Sequence, residues 1–304
     1  MLAKLRLSWN DLPELLTAAR DDTRTTLGPP SPTATDAPSV NALDLVLYLL
    51  KEHVAVSEEE RIAIALWILH TYVFDRFPVT PRLALLSPVR ECGKTTLIEL
   101  IELLVAEAFR TDNVTPAPIY HTLANRRVVM LLDEADNLGL LRDPVLRAVF
   151  NSGHRRGGSV ARLVDGRVRK FPTFGPLCVA AIGDVLPLPL LGRSVTIRMQ
   201  RYSPDEARPQ LKRLDPGDPA FSGARDQLRK WAVTCSLAQD PEMPAGFRNR
   251  LKDNWLPLLA IADDLGHGEA ARAAASVLRR SASPGDEDAA VVLLDNIRKI
   301  FVMR

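Results

Sequence analysis

The chain has 304 residues, of which 46% are apolar and 25% are charged, and its formal net charge is only +2. The length allows about two domains. So small a net charge excludes a protein whose whole surface binds nucleic acid, and any basic surface must therefore be local. The three cysteines show neither disulfide nor metal spacing, and no run of about eighteen apolar residues is present. We expect free thiols, no membrane partner and a cytoplasmic location.

The first forty residues differ in composition from the rest. Residues 1–20 have the apolar spacing of a short amphipathic helix, whereas residues 21–39 are rich in proline, threonine, serine and aspartate and predict a flexible linker. Residues 1–40 are therefore a candidate docking arm for a partner protein. The alternative is a helix that packs on its own domain.

Residues 40–78 predict an N-terminal helical segment. Apolar residues from Leu43 to Leu50 predict one helix. The sequence Ser57-Glu58-Glu59-Glu60 has the pattern of a capping box that begins a second helix over Ile62–Phe74. Thr80-Pro81 then leads into the first strand of the predicted core.

A strand, a polar loop and a helix follow in the order typical of a phosphate-binding loop. The apolar run Leu83–Leu86 stops at Ser87-Pro88, and Gly93-Lys94-Thr95-Thr96 precedes apolar residues at helical spacing. Backbone N–H groups of such a loop bind anions, while the lysine contacts the β- and γ-phosphates and the first threonine ligates Mg²⁺. Pro88 stands where the motif has its first glycine, and it removes one amide donor. The candidate nucleotide-binding residues are Pro88, Glu91, Cys92, Gly93, Lys94, Thr95 and Thr96.

About forty residues further on, the apolar run Val128–Leu132 is followed by Asp133 and Glu134. Five consecutive apolar residues are typical of a strand buried on both faces of a parallel sheet, and ligand sites lie at the carboxyl ends of such strands. We expect Asp133 to hold Mg²⁺ through water and Glu134 to orient the attacking water. A solvated acidic turn is the alternative, but the upstream loop favours an ATP and Mg²⁺ site in an α/β P-loop core.

The segment between residues 97 and 150 predicts three further elements. A helix over Leu97–Phe109 is followed by a strand or edge segment over Asn113–Tyr120 and by a second helix over Leu140–Phe150. These elements would complete the sheet and cover its faces.

A basic hairpin is predicted next. Asp165-Gly166 stands between two alternating segments, and both positions of such a turn need a positive φ. The cations of this segment are Arg155, Arg156, Arg162, Arg167, Arg169 and Lys170, against a single acid. Such a hairpin can follow the phosphate backbone of DNA, single-stranded DNA above all, without reading sequence. Pairing with neighbouring subunits, or a solvated face, is the alternative.

The remainder predicts two more strands and a helical domain. Leu177–Ile182 and Val195–Met199 are the strands, and Arg193 stands in the loop before the second of them, where it could reach a partner's nucleotide. Residues 203–304 predict an all-helical lid, with helices over Phe221–Ala238, Phe247–Leu265, Glu269–Arg280 and Glu287–Phe301.

The order of these parts resembles the AAA+ ATPases, and a hairpin before the penultimate strand is similar to that of MCM-type and superfamily-three helicases. More closely, the chain resembles a bacterial family of domains of unknown function found in phage, plasmid and integrative-element replication proteins. The resemblance covers residues 42–301. It is carried by the segments SPVRECGKTTLIELIELL, LLDEAD, NSGHRRGG, FGPLCVAAIGD, GRSVTIRMQR and DNWLPLLAIAD.

The resemblance implies an AAA+ core over residues 79–202, with a parallel sheet between helices and an inserted hairpin, followed by the lid. It implies that Lys94 and Thr95 bind phosphates and Mg²⁺, that Asp133 binds the metal and that Glu134 is the catalytic base. Arg193 would be an arginine finger for a neighbour's site. Arg250 would be a sensor arginine. Where relatives carry a polar sensor after the strand, this chain has Ile182-Gly183-Asp184.

The expected function is therefore ATP hydrolysis by a ring, a hexamer by resemblance, that moves on or remodels DNA in the replication of a mobile element. A second interpretation is a nucleotide-gated adaptor or loader that holds a replication partner through residues 1–40. A third is an ATPase of anti-phage defence, which no residue distinguishes from the first.

Overall fold

A computed structural model gives the structure of the chain and describes residues 41–111, 115–136, 143–183, 185–201 and 211–282. The predicted helix at 1–20, the linker at 21–39, the last lid helix and Asp184 lie outside the described residues. Among the described helices, none is long and apolar enough to cross a membrane.

The helices are α1 (Ala42–His53), α2 (Glu58–Val73), α3 (Lys94–Leu104), α4 (Pro116–Asn125), α5 (Pro144–Ser152), α6 (Leu188–Leu191), α7 (Pro219–Thr234), α8 (Asn249–Asp264) and α9 (Gly268–Ala282), with a 3₁₀ turn at Phe74–Arg76. The strands are β1 (Arg82–Ser87), β2 (Ala108–Thr111), β3 (Val129–Leu132), β4 (Ser159–Val164), β5 (Arg167–Pro172), β6 (Leu177–Ile182) and β7 (Ser194–Arg198).

Five strands form a parallel sheet in the order β2-β3-β6-β1-β7. Alternate residues of β1 enter different apolar clusters: Leu83 and Leu85 pack with α1, α2, α3 and the later helices, whereas Ala84 and Leu86 pack with α4, α5 and α6. Because successive side chains of a strand point to opposite faces, helices cover both faces of the sheet. The predicted α/β class, a parallel sheet between helices, is confirmed.

The second helix of the N-terminal helical segment, α2, begins with the capping box that the sequence predicts. Ser57 Oγ accepts a hydrogen bond from the Glu60 N–H (3.2 Å), and the Glu60 carboxylate accepts one from the Ser57 N–H (3.1 Å), which completes the capping box. Every residue of α2 from Ile62 to Val73 is buried. A helix that is buried on all sides belongs inside a protein, and α2 packs with residues of the sheet and with α7, α8 and α9 in one apolar cluster.

Two predictions between the loop and β3 are wrong. The predicted helix Leu97–Phe109 ends at Leu104, and Ala108–Thr111 forms the edge strand β2. The segment Asn113–Tyr120, predicted as a strand, contains the start of α4 at Pro116, because proline is well tolerated in the first turn of a helix. All four residues of β2 are only half-buried. Its sequence therefore lacks the continuous apolar run of a central strand.

The predicted hairpin is confirmed. Strands β4 and β5 pair antiparallel from Ser159↔Pro172 to Val164↔Arg167. The connecting residues Asp165 and Gly166 have φ values of 49° and 72°, as a two-residue turn of this kind requires. Only Val160 and Phe171, near the base, are buried. Most of the other hairpin residues are exposed, although Val164 is partly buried against the apolar cluster on this face of the sheet.

Candidate nucleotide-binding site

The loop between β1 and α3 has the backbone of an anion site. Gly93 precedes the first helical residue with φ of 81°, a conformation that strains any other residue, and no side chain caps the helix there. A Cβ at this position would lie 3.6 Å from Met199 Cε. The N–H groups in the first turn of α3 are thus left without a cap from Gly93, and such groups together with the helix dipole favour an anion.

Short contacts within the loop hold its shape. The Lys94 ammonium donates to Ser87 Oγ, which in turn donates to the Val89 carbonyl at 2.7 Å. The thiol of Cys92 is buried and donates to the same carbonyl at 3.3 Å. The Lys94 side chain therefore turns back over the loop toward Ser87, which is where a lysine that binds phosphate in this loop would lie. Thr95 is exposed at the mouth of the loop and Thr96 is half-buried.

Asp133 and Glu134 lie at the same edge of the sheet. They follow β3, and only β6 separates β3 from β1. Asp133 is 5% exposed, and its Oδ1 accepts a hydrogen bond from the Glu134 N–H at 3.0 Å. Glu134 has a φ of 51°, which costs free energy in a residue other than glycine, and its side chain is exposed at the edge. The arrangement gives one buried and one exposed carboxylate beside the loop.

An arginine that the sequence analysis missed compensates Asp133. Arg110 of β2 lies 3.7 Å from the Asp133 carboxylate, and it also contacts Glu99 (3.6 Å) and Glu102 (3.2 Å) of α3. Arg110 thus joins the edge strand to the helix that follows the phosphate loop.

Two clefts open beside the loop, with volumes of about 350 Å³ and 450 Å³. Both are within the range of roughly 300–1,000 Å³ that is usual for small-molecule sites. The smaller is lined by His53, Val54 and Ala55 from the α1–α2 connection and by Glu91, Cys92, Gly93, Thr96, Gln200, Arg201 and Leu211. The larger is lined by residues 86–89, Gly183 and residues 198–201. Gln200 and Arg201 border both clefts.

Arg193 lies at the amino-terminal ends of the strands, which is the edge of the sheet opposite the loop. Its carbonyl accepts a hydrogen bond from the N–H of Arg82, the first residue of β1, and its guanidinium donates to the Pro189 carbonyl at 2.5 Å. The five steps of β1, at about 3.3 Å each, put the two edges about 17 Å apart. Arg193 therefore cannot reach the phosphate loop of its own chain.

Arg250 lies beside Arg193 and not beside the loop. A Cβ on Gly192 would stand 3.7 Å from its guanidinium. The pKa of Arg193 is lowered by burial and then by the charges of Arg250 and Arg155. Three cations thus converge at this edge. A cluster of like charges favours an anionic partner.

A buried hydrogen-bonded chain ties this edge to the hairpin and the lid. The His154 ring contacts Asn254 Oδ1 at 2.9 Å, and the Asn254 amide donates to the Gly192 carbonyl at 3.3 Å. His154 and Asn254 are each 2% exposed. Burial, together with the charges of Arg82, Arg193 and Arg155, lowers the pKa of His154 to about 4 despite the Asn254 hydrogen bond, which raises it. The imidazole is neutral at pH 7.

Arg82 fastens both ends of the hairpin insert to β1. Its guanidinium donates to the carbonyl of Phe150, before the insert (2.9 Å), and to that of Gly175, after it. Arg82 is 2% exposed, and no carboxylate of the described residues pairs with it. Its pKa falls to about 9 through burial and then through Arg193. Sequence reasoning missed Arg82, His154 and Asn254, because their partners lie far away in the chain.

The six predicted cations of the hairpin fall into three groups. Arg155 and Arg156 lie at its root: Arg155 pairs with Asp253 of α8 (2.9 Å), and Arg156 donates to carbonyls of Asp75 and Phe77. Arg162 lies over the ring of Tyr120 at 5.5 Å. The cations exposed along β5 are Arg167, Arg169 and Lys170. The tip also exposes the apolar pair Leu163 and Val168, at 73% and 72%.

Comparison with known families gives one match. A family model described as a protein of unknown function (DUF3631) matches residues 198–304. The match begins at the last residue of β7 and includes α7, α8 and α9, so that it contains Arg201 and Arg250 but neither the β1–α3 loop nor the hairpin. Comparison with curated proteins yields no match.

Proposed function

We propose that this protein is a magnesium-dependent ATPase that works as a homo-oligomeric ring, a hexamer by its resemblance to AAA+ proteins, and moves on or remodels DNA in mobile-element replication. One observation carries the proposal: the Gly93-Lys94 loop and the Asp133-Glu134 turn meet at one edge of a parallel sheet, with a single strand between them. Ligand sites of open parallel sheets lie at this edge.

The residues present fit ATP and Mg²⁺. The left-handed Gly93, the uncapped first turn of α3 and the Lys94 ammonium supply donors and positive charge for a triphosphate. The exposed Thr95 hydroxyl and the Asp133 carboxylate are hard oxygen donors that would hold Mg²⁺. Mg²⁺ would neutralise charge on the transferring phosphoryl group. Glu134, exposed at the edge, is the group that orients and deprotonates the attacking water.

The ring rests on the position of Arg193. Because Arg193 lies across the sheet from its own loop, it can stabilise a transferring phosphoryl group only in a neighbouring subunit. Arg250, which adjoins it, belongs to the same surface in this proposal and reads the neighbour's nucleotide.

The contact with DNA rests on the hairpin. Arg167, Arg169 and Lys170 are exposed on it, and phosphate contacts of this kind bind strands without sequence preference. Arg155 and Arg156, which the sequence analysis placed with them, are engaged at the root, so their part in DNA binding is the weaker one.

The test is ATP hydrolysis by the purified protein with and without single-stranded DNA, with Lys94→Ala as the blank. We expect DNA to stimulate turnover several-fold and the double variant Arg167→Ala/Arg169→Ala to lose the stimulation at unchanged basal turnover. Arg229→Ala removes another exposed arginine, from α7, and is the matched control. A wild-type protein that neither binds nor hydrolyses ATP would overturn the proposal.

Mixing of subunits tests the shared site. Lys94→Ala and Arg193→Ala proteins should each be inactive, but a mixture should regain part of the turnover, because some interfaces join an intact Lys94 to an intact Arg193. No recovery from a mixture that co-assembles would contradict the role of Arg193 in a neighbour's site.

A nucleotide-gated adaptor or loader is the second candidate. Two observations favour it: Pro88 lacks the N–H that a glycine would give the loop, and the Asp133 carboxylate is already engaged by Arg110 and by the Glu134 N–H. Such a protein would bind ATP and turn it over slowly. Its partner would dock on residues 1–40.

A further inference from the structure

An arginine outside the predicted site contacts the phosphate loop from the same chain. Arg201 follows β7 by three residues, and its guanidinium lies 2.7 Å from the carboxylate of Glu91. Strand β7 pairs with β1 in parallel, so both strands end at the edge of the sheet that carries the loop. Arg201 therefore reaches the loop from the side of β7, across from the Asp133-Glu134 turn.

Glu91 is an unusual residue for an anion-binding loop. It lies two positions before Gly93, with a φ of 60°, and its carboxylate would repel a polyphosphate seated in the loop. In the structure Arg201 neutralises that charge. The two side chains are 74% and 60% exposed, and an exposed pair of this kind is weak and exchangeable.

The clefts place Arg201 on the path of a nucleotide. It borders both the cleft that reaches the α1–α2 connection and the cleft over residues 86–89 and Gly183. A nucleotide with its phosphates in the loop and its nucleoside in either cleft passes this guanidinium. A planar guanidinium binds phosphate oxygens through two parallel hydrogen bonds, and a polyphosphate offers more negative charge than one carboxylate.

We propose that Arg201 is a ligand of the nucleotide polyphosphate in its own subunit, and that it exchanges Glu91 for phosphate oxygens when the nucleotide binds. The proposal rests on the proposed function and deepens it. Arg250 lies across the sheet from the loop, whereas Arg201 is a cation from the segment after β7 that reaches the loop in cis. Glu91 acts as a competitor that sets the affinity.

Equilibrium binding of a fluorescent ATP analogue tests this, with Arg201→Ala, Glu91→Gln, the double variant and Lys94→Ala. We expect Arg201→Ala to weaken binding about ten-fold, as for loss of a charge-assisted hydrogen bond, and Glu91→Gln to tighten it about three-fold. The opposite signs exclude a merely structural ion pair, because its loss would weaken binding in both variants. Arg213→Ala, which removes an exposed arginine two residues after Leu211 of the smaller cleft, is the matched control and should bind as wild type.

The double variant distinguishes an Arg201 that binds phosphate from an Arg201 that only neutralises the charge of Glu91. If Arg201 contacts phosphate, Arg201→Ala should still weaken binding about ten-fold in the Glu91→Gln background. If Arg201 only neutralises Glu91, its removal there should have no effect, and the proposal is overturned. A fluorescent adenosine analogue should bind equally to wild type and Arg201→Ala, since it has no phosphate.

The Lys94→Ala protein distinguishes a failure of the proposed role of Arg201 from a failure of the proposed function. Unchanged binding of the ATP analogue by Lys94→Ala would show that the loop is not a nucleotide site, and both proposals would fall. Loss of binding by Lys94→Ala, with no effect of Arg201→Ala, would overturn the role of Arg201 alone.

Discussion

The two edges of the parallel sheet are built in different ways. At the edge that carries the phosphate loop, Glu91, Arg201 and Glu134 are exposed, and the ion pair between the first two lies in solvent. At the other edge, Arg82, His154 and Asn254 are each 2% exposed and bonded to backbone or to one another.

The difference reflects what each edge has to do. Exposed pairs can exchange partners at little cost, which suits a site that binds and releases a ligand. Removing one partner of a buried polar group lowers the free energy of unfolding by roughly 2–5 kcal/mol. Buried polar groups therefore fix a geometry. In this protein the Glu91–Arg201 pair at the loop edge is exchangeable, whereas the buried hydrogen bonds of Arg82, His154 and Asn254 fix the opposite edge, from which Arg193 extends.

The largest expected effect is chemical and belongs to the loop edge. Glu134→Gln should lower ATP turnover by about 100-fold or more, because an amide cannot accept the proton of the attacking water. Binding of the ATP analogue and the midpoint of thermal unfolding should stay near those of wild type, since the side chain is exposed. Turnover that is slow in wild type and unchanged in Glu134→Gln would favour the adaptor.

The next effect is structural and belongs to the opposite edge. In Gly153→Ala, the new Cβ would stand 2.2 Å from the Thr173 carbonyl oxygen and 2.7 Å from the Arg82 guanidinium. Because backbone has to move, we expect a loss of about 3 kcal/mol in the free energy of unfolding, measured with urea.

Gly223→Ala in α7 is the matched control for that variant. Nothing lies within 4 Å of a Cβ at this position, and alanine in a helix should instead stabilise the protein by about 0.5–1 kcal/mol. Equal unfolding free energies for the two variants would contradict a tightly packed edge around Arg82.

A smaller effect depends on pH. His70 of α2 is fully buried with neither ring nitrogen hydrogen-bonded, and burial, then Arg82, lowers its pKa to about 3. The unfolded chain takes up the proton below about pH 6.5, while the folded chain stays neutral, so stability is complete above pH 6.5 and falls with acidification. His70→Leu should abolish a loss of about 2 kcal/mol between pH 7 and pH 5.

Urea unfolding at the two pH values measures this change. His121→Gln, at an exposed position of α4, should keep the acid sensitivity of wild type. The same loss in His70→Leu as in wild type would assign the acid sensitivity to other groups, first of all to His154, whose pKa is lowered to about 4.

The sequence predicts well what neighbouring residues determine. Each correctly predicted element has a local signal in the sequence. The signal is a side-chain cap for the capping box at Ser57, a turn that needs positive φ for Asp165-Gly166, and an apolar run for the central strands β1, β3 and β6. The edge strand β2 has no such run, because its residues are half-buried, and it was missed.

The contacts that define the site's surroundings could not be predicted. Arg201 meets Glu91 across 110 positions, and His154 meets Asn254 across 100. No pattern of spacing joins residues so far apart, and only the pairing of β7 with β1 and the packing of α8 bring them together. The position of Arg250 beside Arg193 depends on the same packing.

Arg82 makes the hairpin a separable module. Its hydrogen bonds to Phe150 and Gly175 close the neck of the insert, and the Thr173 N–H closes it again on the Gly158 carbonyl at 3.0 Å. The hairpin can therefore be shortened to the Ala161–Lys170 pair and rejoined by a two-residue turn, with the buried Val160 and Phe171 retained. We expect a protein trimmed in this way to keep the β1–α3 loop and the sheet, so that the proposed nucleotide site and the proposed contact with nucleic acid can be studied independently.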